Sequence, residues 1–252
     1  MIDLARVRHV VFDFDGTLSL LTGGWSDLMT DLFVEHLPPM DNARSLARRE
    51  ILLLNGRPSI HQMTRLAELI TERGGTPAEA RVYHATFLDR LHSVVAERRA
   101  AVESGRVSAE TMLVPGARAM LEALHARGLP LTLLSGSELS IVRKEARLLA
   151  LDTFFEAIIA PEGDDHSFTK RTALERIVQT NALRGDELLA FGDGPAEIVH
   201  TRALGGTAIG IACVEADPLP GHIDEIKREV LLTAGAQEII ADFRNVNALF
   251  TA

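Results

Sequence analysis

Val10-Val11-Phe12-Asp13-Phe14-Asp15-Gly16-Thr17 decides how this chain folds. An apolar, β-branched run signals a buried strand, and Gly-Thr after it signals a turn. The pattern predicts a strand over residues 9–14 with two carboxylates, Asp13 and Asp15, at its C-terminal end. In an open parallel α/β sheet that end is where ligands bind. Neighbouring carboxylates repel, and a hard cation such as Mg²⁺ relieves the repulsion by taking oxygen ligands. Taken alone, the same residues also read as a solvated acidic turn after an edge strand.

The chain on either side decides between those readings. Leu18 to Gly24 is a linker-like stretch ending in Thr22-Gly23-Gly24-Trp25, where paired glycines suit a hinge. From Ser26 to about Arg106 the pattern is helical. Leu28, Leu32, Phe33 and Leu37 mark one amphipathic face, and Pro38-Pro39 stops that helix. A second helix is expected from Asp41 to Leu54, followed by the turn Asn55-Gly56-Arg57-Pro58. Ser59 and Gln62 predict a capping box for a third helix. Thr76-Pro77-Ala78-Glu79 predicts the start of a fourth.

After Val107 helices and strands alternate. Helices are expected from Pro115 to Gly128, Leu139 to Leu149, Thr169 to Gln179 and Asp224 to Leu232. Strands are expected over 131–134, 157–160, 188–191, 207–212 and 238–240. This alternation predicts a parallel sheet covered by helices on both faces. The expected fold class is α/β, a Rossmann-like parallel core with an inserted all-helical cap. Residues 1–20 and 108–252 form the core in this reading, and residues 21–107 form the cap. An insertion beside a strand end reads as a lid, with an independent helical bundle as the alternative.

Composition narrows the function. A net charge of −9 over 252 residues argues against a nucleic-acid footprint or a polybasic membrane surface. No apolar run reaches the length of a membrane span. The single cysteine, Cys213, excludes an intramolecular disulfide and fits a reducing compartment, so a cytoplasmic location is expected. Its apolar neighbours make it a small buried hydrophobe rather than a nucleophile. His9, His61, His84 and His92 form no metal-ligand pattern. The oligomeric state is not legible.

Four segments at or near strand ends carry chemistry, in this order: Asp13-x-Asp15-Gly16-Thr17, Ser135-Gly136, Lys170 and Gly192-Asp193-Gly194-Pro195-Ala196-Glu197. Together they resemble the motifs of the haloacid dehalogenase (HAD) superfamily of Asp-nucleophile phosphotransferases, over nearly the whole chain. The helical block resembles that family's C1-type cap, and the whole is phosphoglycolate phosphatase-like. In two places the chain departs from the usual pattern. Glu197 stands where Asp is frequent, and Arg171 follows Lys170 where many relatives carry proline.

The resemblance implies a set of roles. Asp13 would be the nucleophile and Asp15 the general acid and base. Mg²⁺ would be held by Asp13, the Asp15 carbonyl and Asp193, with Glu197 behind them on a metal-bound water. Ser135, Gly136, Thr17 and Lys170 would grip phosphate oxygens. In the cap, Trp25 either closes over the leaving group or is a packed aromatic. Arg57, and with it Gln62 and Arg65, either meets a polar substrate or is solvated. Asp15 speaks for phosphoryl rather than dehalogenase chemistry, and the absence of a lysine before Lys144 excludes the Schiff-base phosphonate branch. The implied activity is a Mg²⁺-dependent phosphatase of a small phosphate ester, a sugar phosphate or phosphoglycolate-like compound. A phosphomutase and a non-catalytic binding module remain the alternatives.

Overall fold

The computed structural model describes residues 2–163, 167–245 and 250–251. A short strand β1 (Ile2–Asp3) leads into β2 (His9–Phe12), whose residues are all buried. Four helices follow before the next strand: α1 (Trp25–His36), α2 (Ala43–Leu53), α3 (Ile60–Glu72) and α4 (Ala80–Glu103). The chain then alternates through α5 (Ala117–Ala126), β3 (Leu131–Leu134), α6 (Leu139–Leu148), β4 (Ala157–Ile159) and α7 (Lys170–Thr180). It continues through β5 (Leu188–Gly192), α8 (Pro195–Ala203), β6 (Thr207–Ile211), α9 (Glu225–Thr233), β7 (Glu238–Ile240) and β8 (Phe250–Thr251).

β2 to β7 form one six-stranded sheet in the order β4-β3-β2-β5-β6-β7, and every pairing is parallel. A separate parallel pair joins β1 to β8. The expected α/β class is therefore the observed one. The chain lays β3 and β4 on one side of β2 and then crosses to place β5 on the other. Strand order reverses at β2, and in such sheets the crevice at the reversal takes the ligand. Phe12 pairs in register with Phe191 of β5, and their rings stack with centroids 4.7 Å apart. This buried aromatic contact lies one residue before Asp13 and two before Asp193, so core packing fixes the spacing of the two carboxylates.

The helices between β2 and β3 bury a cluster of their own, including Met29, Leu32, Phe33, Ile51, Met63, Leu66 and Phe87. Charged contacts tie them to the sheet half of the molecule. Arg49 donates to both carboxylate oxygens of Glu229 at 2.7 and 3.1 Å. Arg48 pairs with Asp27 on α1 and with Asp224 ahead of α9. Arg99 pairs with the buried Glu145 of α6. At the entry to α1, Arg98 Nη1 donates to the carbonyls of Leu20, Leu21 and Gly23. Gly24 there has φ +79°, and its N–H donates to Glu215 Oε2 at 3.1 Å. Proline can neither adopt that angle nor donate. Gly24→Pro is expected to destabilise the protein by more than about 1 kcal/mol, read as a lowered urea midpoint. An unchanged midpoint would show that this junction carries no constraint.

Some local expectations are corrected. The strand ends at Phe12 rather than 14, because the Phe14 carbonyl accepts from the N–H groups of Thr17, Leu18 and Ser19 in a tight turn. The capping box at Ser59 does not form. Ser59 Oγ instead bonds His84 Nε2 of α4 at 2.7 Å, and Gln62 Nε2 donates to the Leu54 carbonyl. The fourth helix begins at Ala80, beyond the Thr76-Pro77 signal, because Glu79 is extended. In the first two places backbone or tertiary partners outcompete the local strand or cap. Cys213 is buried as expected, and burial pushes its thiol up to about 12. No helix among the described residues is long and apolar enough to cross a membrane.

Candidate active site

Asp13 directly follows β2, and its N–H donates to the Phe191 carbonyl at 3.0 Å, which holds it beside β5. The residue is 6% exposed. Its Oδ1 accepts from Lys170 Nζ at 2.6 Å, and its Oδ2 from Thr17 Oγ1 at 3.3 Å. Burial pushes the Asp13 carboxyl well above the usual carboxylate range, with Lys170 pulling the other way.

Lys170 reaches this point from the first turn of α7. Thr169 caps that helix by accepting from the Thr172 N–H at 3.1 Å, which aims Lys170 inward. The ammonium also donates to Glu197 Oε2 at 3.0 Å. Burial works against its charge, but Asp13 and Glu197 together overcome that and hold Lys170 above the usual lysine value. Glu197 has a second task. Pro195 opens α8, and Glu197 Oε1 accepts from the Gly194 N–H at 2.9 Å, closing the helix start.

Asp15 is only half-buried by area, and both its oxygens are engaged. Thr22 Oγ1 donates to Oδ1 and Ser137 Oγ donates to Oδ2, each at 2.9 Å. Burial raises the Asp15 carboxyl, and these two hydrogen bonds oppose the rise. A carboxyl with a raised pKa is suited to carry a proton to or from a reacting oxygen.

Asp193 follows β5 and is 5% exposed. Gly16 lies against it: with φ +73°, a Cβ on Gly16 would stand 2.4 Å from Asp193 Oδ2. The turn after β2 therefore leaves room for this carboxylate only because residue 16 has no side chain. One oxygen each of Asp13, Asp193 and Glu197 lie within 4.8 Å of one another. Lys170 and Lys227 neutralise part of this charge, but the carboxylates of Asp13, Asp193 and Glu197, with Glu215 beside them, outnumber the two lysines and suit a hard divalent cation with oxygen ligands. The residues present fit the metal that the sequence implies.

The structure thus gathers Asp13, Asp15, Thr17, Lys170, Asp193 and Glu197 at the C-terminal ends of β2 and β5. Ser135 follows β3 and is buried, with Oγ accepting from the Ser137 N–H at 3.0 Å. Gly136 faces Lys170, whose Cε lies 3.9 Å from where a Cβ would be. The cap residues stand apart. Trp25 packs against the helical cluster, and Arg57 is exposed on its loop. Arg65 is taken up by Glu50, Glu68 and Glu72. Asn55 reaches from the helical block to Asp193, with its Nδ2 3.3 Å from both the Asp193 carbonyl and Oδ2.

Sequence reasoning missed Asn55, Ser137, Glu215 and Lys227. Lys227 Nζ donates to Asp193 Oδ2 at 2.8 Å and to Glu215 Oε1. A signal for it existed. Lys227, Val230 and Leu231 share one face of α9, with Ala234 at its C-cap, and a lysine on an apolar face calls for a buried partner.

The family model for haloacid dehalogenase-like hydrolases matches residues 7–205, and the chain belongs to that family. Solved structures agree in fold. A predicted phosphoglycolate phosphatase from Haemophilus somnus 129pt is 15% identical with a TM-score of 0.61, covering 97% of this chain and 98% of its own. β-Phosphoglucomutase from Clostridium difficile is 12% identical with a TM-score of 0.59, over 95% and 93%. A HAD family hydrolase from Deinococcus radiodurans R1, with bound phosphate and sodium, is 21% identical with a TM-score of 0.58, over 97% and 95%. At these identities the likeness is one of fold. No curated protein matches the chain.

Proposed function

We propose that this chain is a Mg²⁺-dependent phosphatase acting on a small phosphate monoester through a covalent intermediate on Asp13. The observation that carries the reading is the buried contact of Asp13 with Lys170, with Asp193 and Glu197 oxygens clustered around it. An Asp13 oxygen attacks phosphorus in line, the ester P–O bond breaks, and Asp15 delivers its proton to the departing oxygen. Water then attacks the aspartyl-phosphate, Asp15 takes the water's proton, and phosphate leaves with Asp13 restored. Lys170, Ser135, Thr17 and the Gly136 N–H hold the non-bridging oxygens, where transition-state charge gathers. Asp13, the Asp15 carbonyl and Asp193 would hold Mg²⁺, which when bound would supply positive charge to the same oxygens.

Residues 21–107 serve as a lid over this site in the same proposal. Asn55 on Asp193 and Gly56 against Ala196 put the turn after α2 directly over the start of α8. Substrate selection then falls to the turn Asn55-Gly56-Arg57, with Trp25 shaping the lid's own packing. The partner is a small, multiply charged ester of the sugar phosphate or phosphoglycolate kind, and the site of action is the cytoplasm.

A screen of phosphorylated metabolites is expected to give inorganic phosphate with Mg²⁺ and none with EDTA. An isomeric phosphate ester in place of free phosphate would assign a phosphomutase. No turnover of any ester, aryl phosphates included, would leave a binding module.

A further inference from the structure

Among the described residues two lysines are buried, and the mechanism uses Lys170 alone. Lys227 is 2% exposed, and nothing in the phosphoryl chemistry calls on it. Its ammonium lies 2.8 Å from Asp193 Oδ2 and donates also to Glu215 Oε1. Burial disfavours that charge, and Asp193 with Glu215 more than offsets it, holding Lys227 above the usual lysine value. A buried ammonium with two carboxylate partners has few orientations open to it.

Its mounting is fixed from both sides. Asp224 Oδ1 caps α9 by accepting from the N–H groups of Ile226 and Lys227, each at 3.1 Å. Arg48 from α2 holds the other oxygen of Asp224. Glu215 is anchored by the Gly24 N–H on its second oxygen. The other side chain on Asp193 is Asn55, a neutral donor at 3.3 Å, which is a weaker restraint than an ammonium at 2.8 Å.

We propose that Lys227, mounted on Glu215, is a positioning residue that sets the orientation of the Asp193 carboxylate for the metal. The inference rests on Asp193 being a metal ligand, as in the proposed function. Partners that orient a ligating carboxylate from behind typically contribute about 10–100-fold to metal affinity. A lysine present only for stability would contribute nothing to that affinity.

The decisive variant is Lys227→Met/Glu215→Gln. It removes one positive and one negative charge, so the local net charge is unchanged, and Asp193 keeps Asn55 as a hydrogen-bond donor. Calorimetric titration of the ester-free protein with Mn²⁺ is expected to give a Kd about 10–100-fold weaker than wild type, with the far-UV spectrum and cooperative melting retained. An unchanged Kd overturns the inference and leaves the phosphatase reading standing. A wild-type protein that takes no Mn²⁺ overturns both. If the double variant does not fold, Glu215→Asp keeps every charge and shortens only the mount. Its Kd is expected to weaken about tenfold, the low end of the same range, and an unchanged Kd there overturns the inference equally.

Discussion

Asp13→Asn is expected to abolish turnover, with kcat falling by about three to six orders of magnitude, while the protein remains folded. The substitution is nearly isosteric. Its amide oxygen still accepts from Lys170, and Lys170 keeps Glu197 as an ionic partner at 3.0 Å. What is lost is the anionic oxygen that would bond to phosphorus, and neither Asp15 nor Glu197 can replace it. Asp15 is the proton carrier of the same step, and Glu197 is committed to Lys170 and the Gly194 N–H.

Stability should respond in the opposite sense. Burial raises the Asp13 carboxyl, so the folded state disfavours its charge relative to the unfolded chain. A group raised in this way adds stability below its unfolded pKa and costs stability above its folded one. A neutral amide is therefore expected to leave the melting midpoint unchanged or higher. Calorimetry and single-turnover kinetics check the two halves separately. Turnover within tenfold of wild type, in a preparation shown by mass spectrometry to be free of deamidation, would remove Asp13 from the role of nucleophile.

The strand-end carboxylates were legible because strand propensity, turn chemistry and topology all point to the same place. Val10-Val11-Phe12 cannot be left in water, and Gly16 follows where the chain must turn close to Asp193. Lys170 and Glu197 were legible only by position within a set of motifs, since nothing local distinguishes a buried lysine at a helix start from a solvated one. Lys227 and Glu215 were not read at all. Their pairing joins α9 to the loop after β6, and Glu215 also meets Gly24, 191 positions away in sequence. The apolar face around Lys227 signals that a buried partner exists, but contacts between segments so far apart leave no trace of which residue it is. The same reason explains why Asn55 was read only as a turn residue: its task depends on how the helical block sits over α8.

The mismatch at Ser59 shows the reverse effect. A local signal for a cap was present, yet His84 from α4 claimed the hydroxyl. Packing among the inserted helices therefore decides which side chains remain free to face the sheet. That packing holds Trp25 in the helical cluster, while Arg57 is exposed on its loop, and neither is the residue that touches the carboxylates.

Asp193→Ala is the second large effect, and it separates metal binding from folding. The carboxylate lies in a pocket shaped by Gly16, within 4.8 Å of Asp13 and Glu197, so its removal leaves the proposed metal one oxygen ligand short. At millimolar Mg²⁺, turnover is expected to fall by about two to three orders of magnitude, the scale seen when a transition-state electrostatic partner is removed. The cost in stability should be smaller, because Lys227 keeps Glu215 as a charged partner and is not left as a lone buried ion. Asn55 loses its contact with Oδ2 but retains the Asp193 backbone carbonyl. Raising Mg²⁺ should recover part of the lost rate, because the defect lies in occupancy, whereas no concentration should rescue Asp13→Asn. Calorimetric Mn²⁺ binding equal to wild type in Asp193→Ala would take Asp193 out of the metal's coordination. A loss of rate with no dependence on metal concentration would instead mean that the carboxylate acts on the fold.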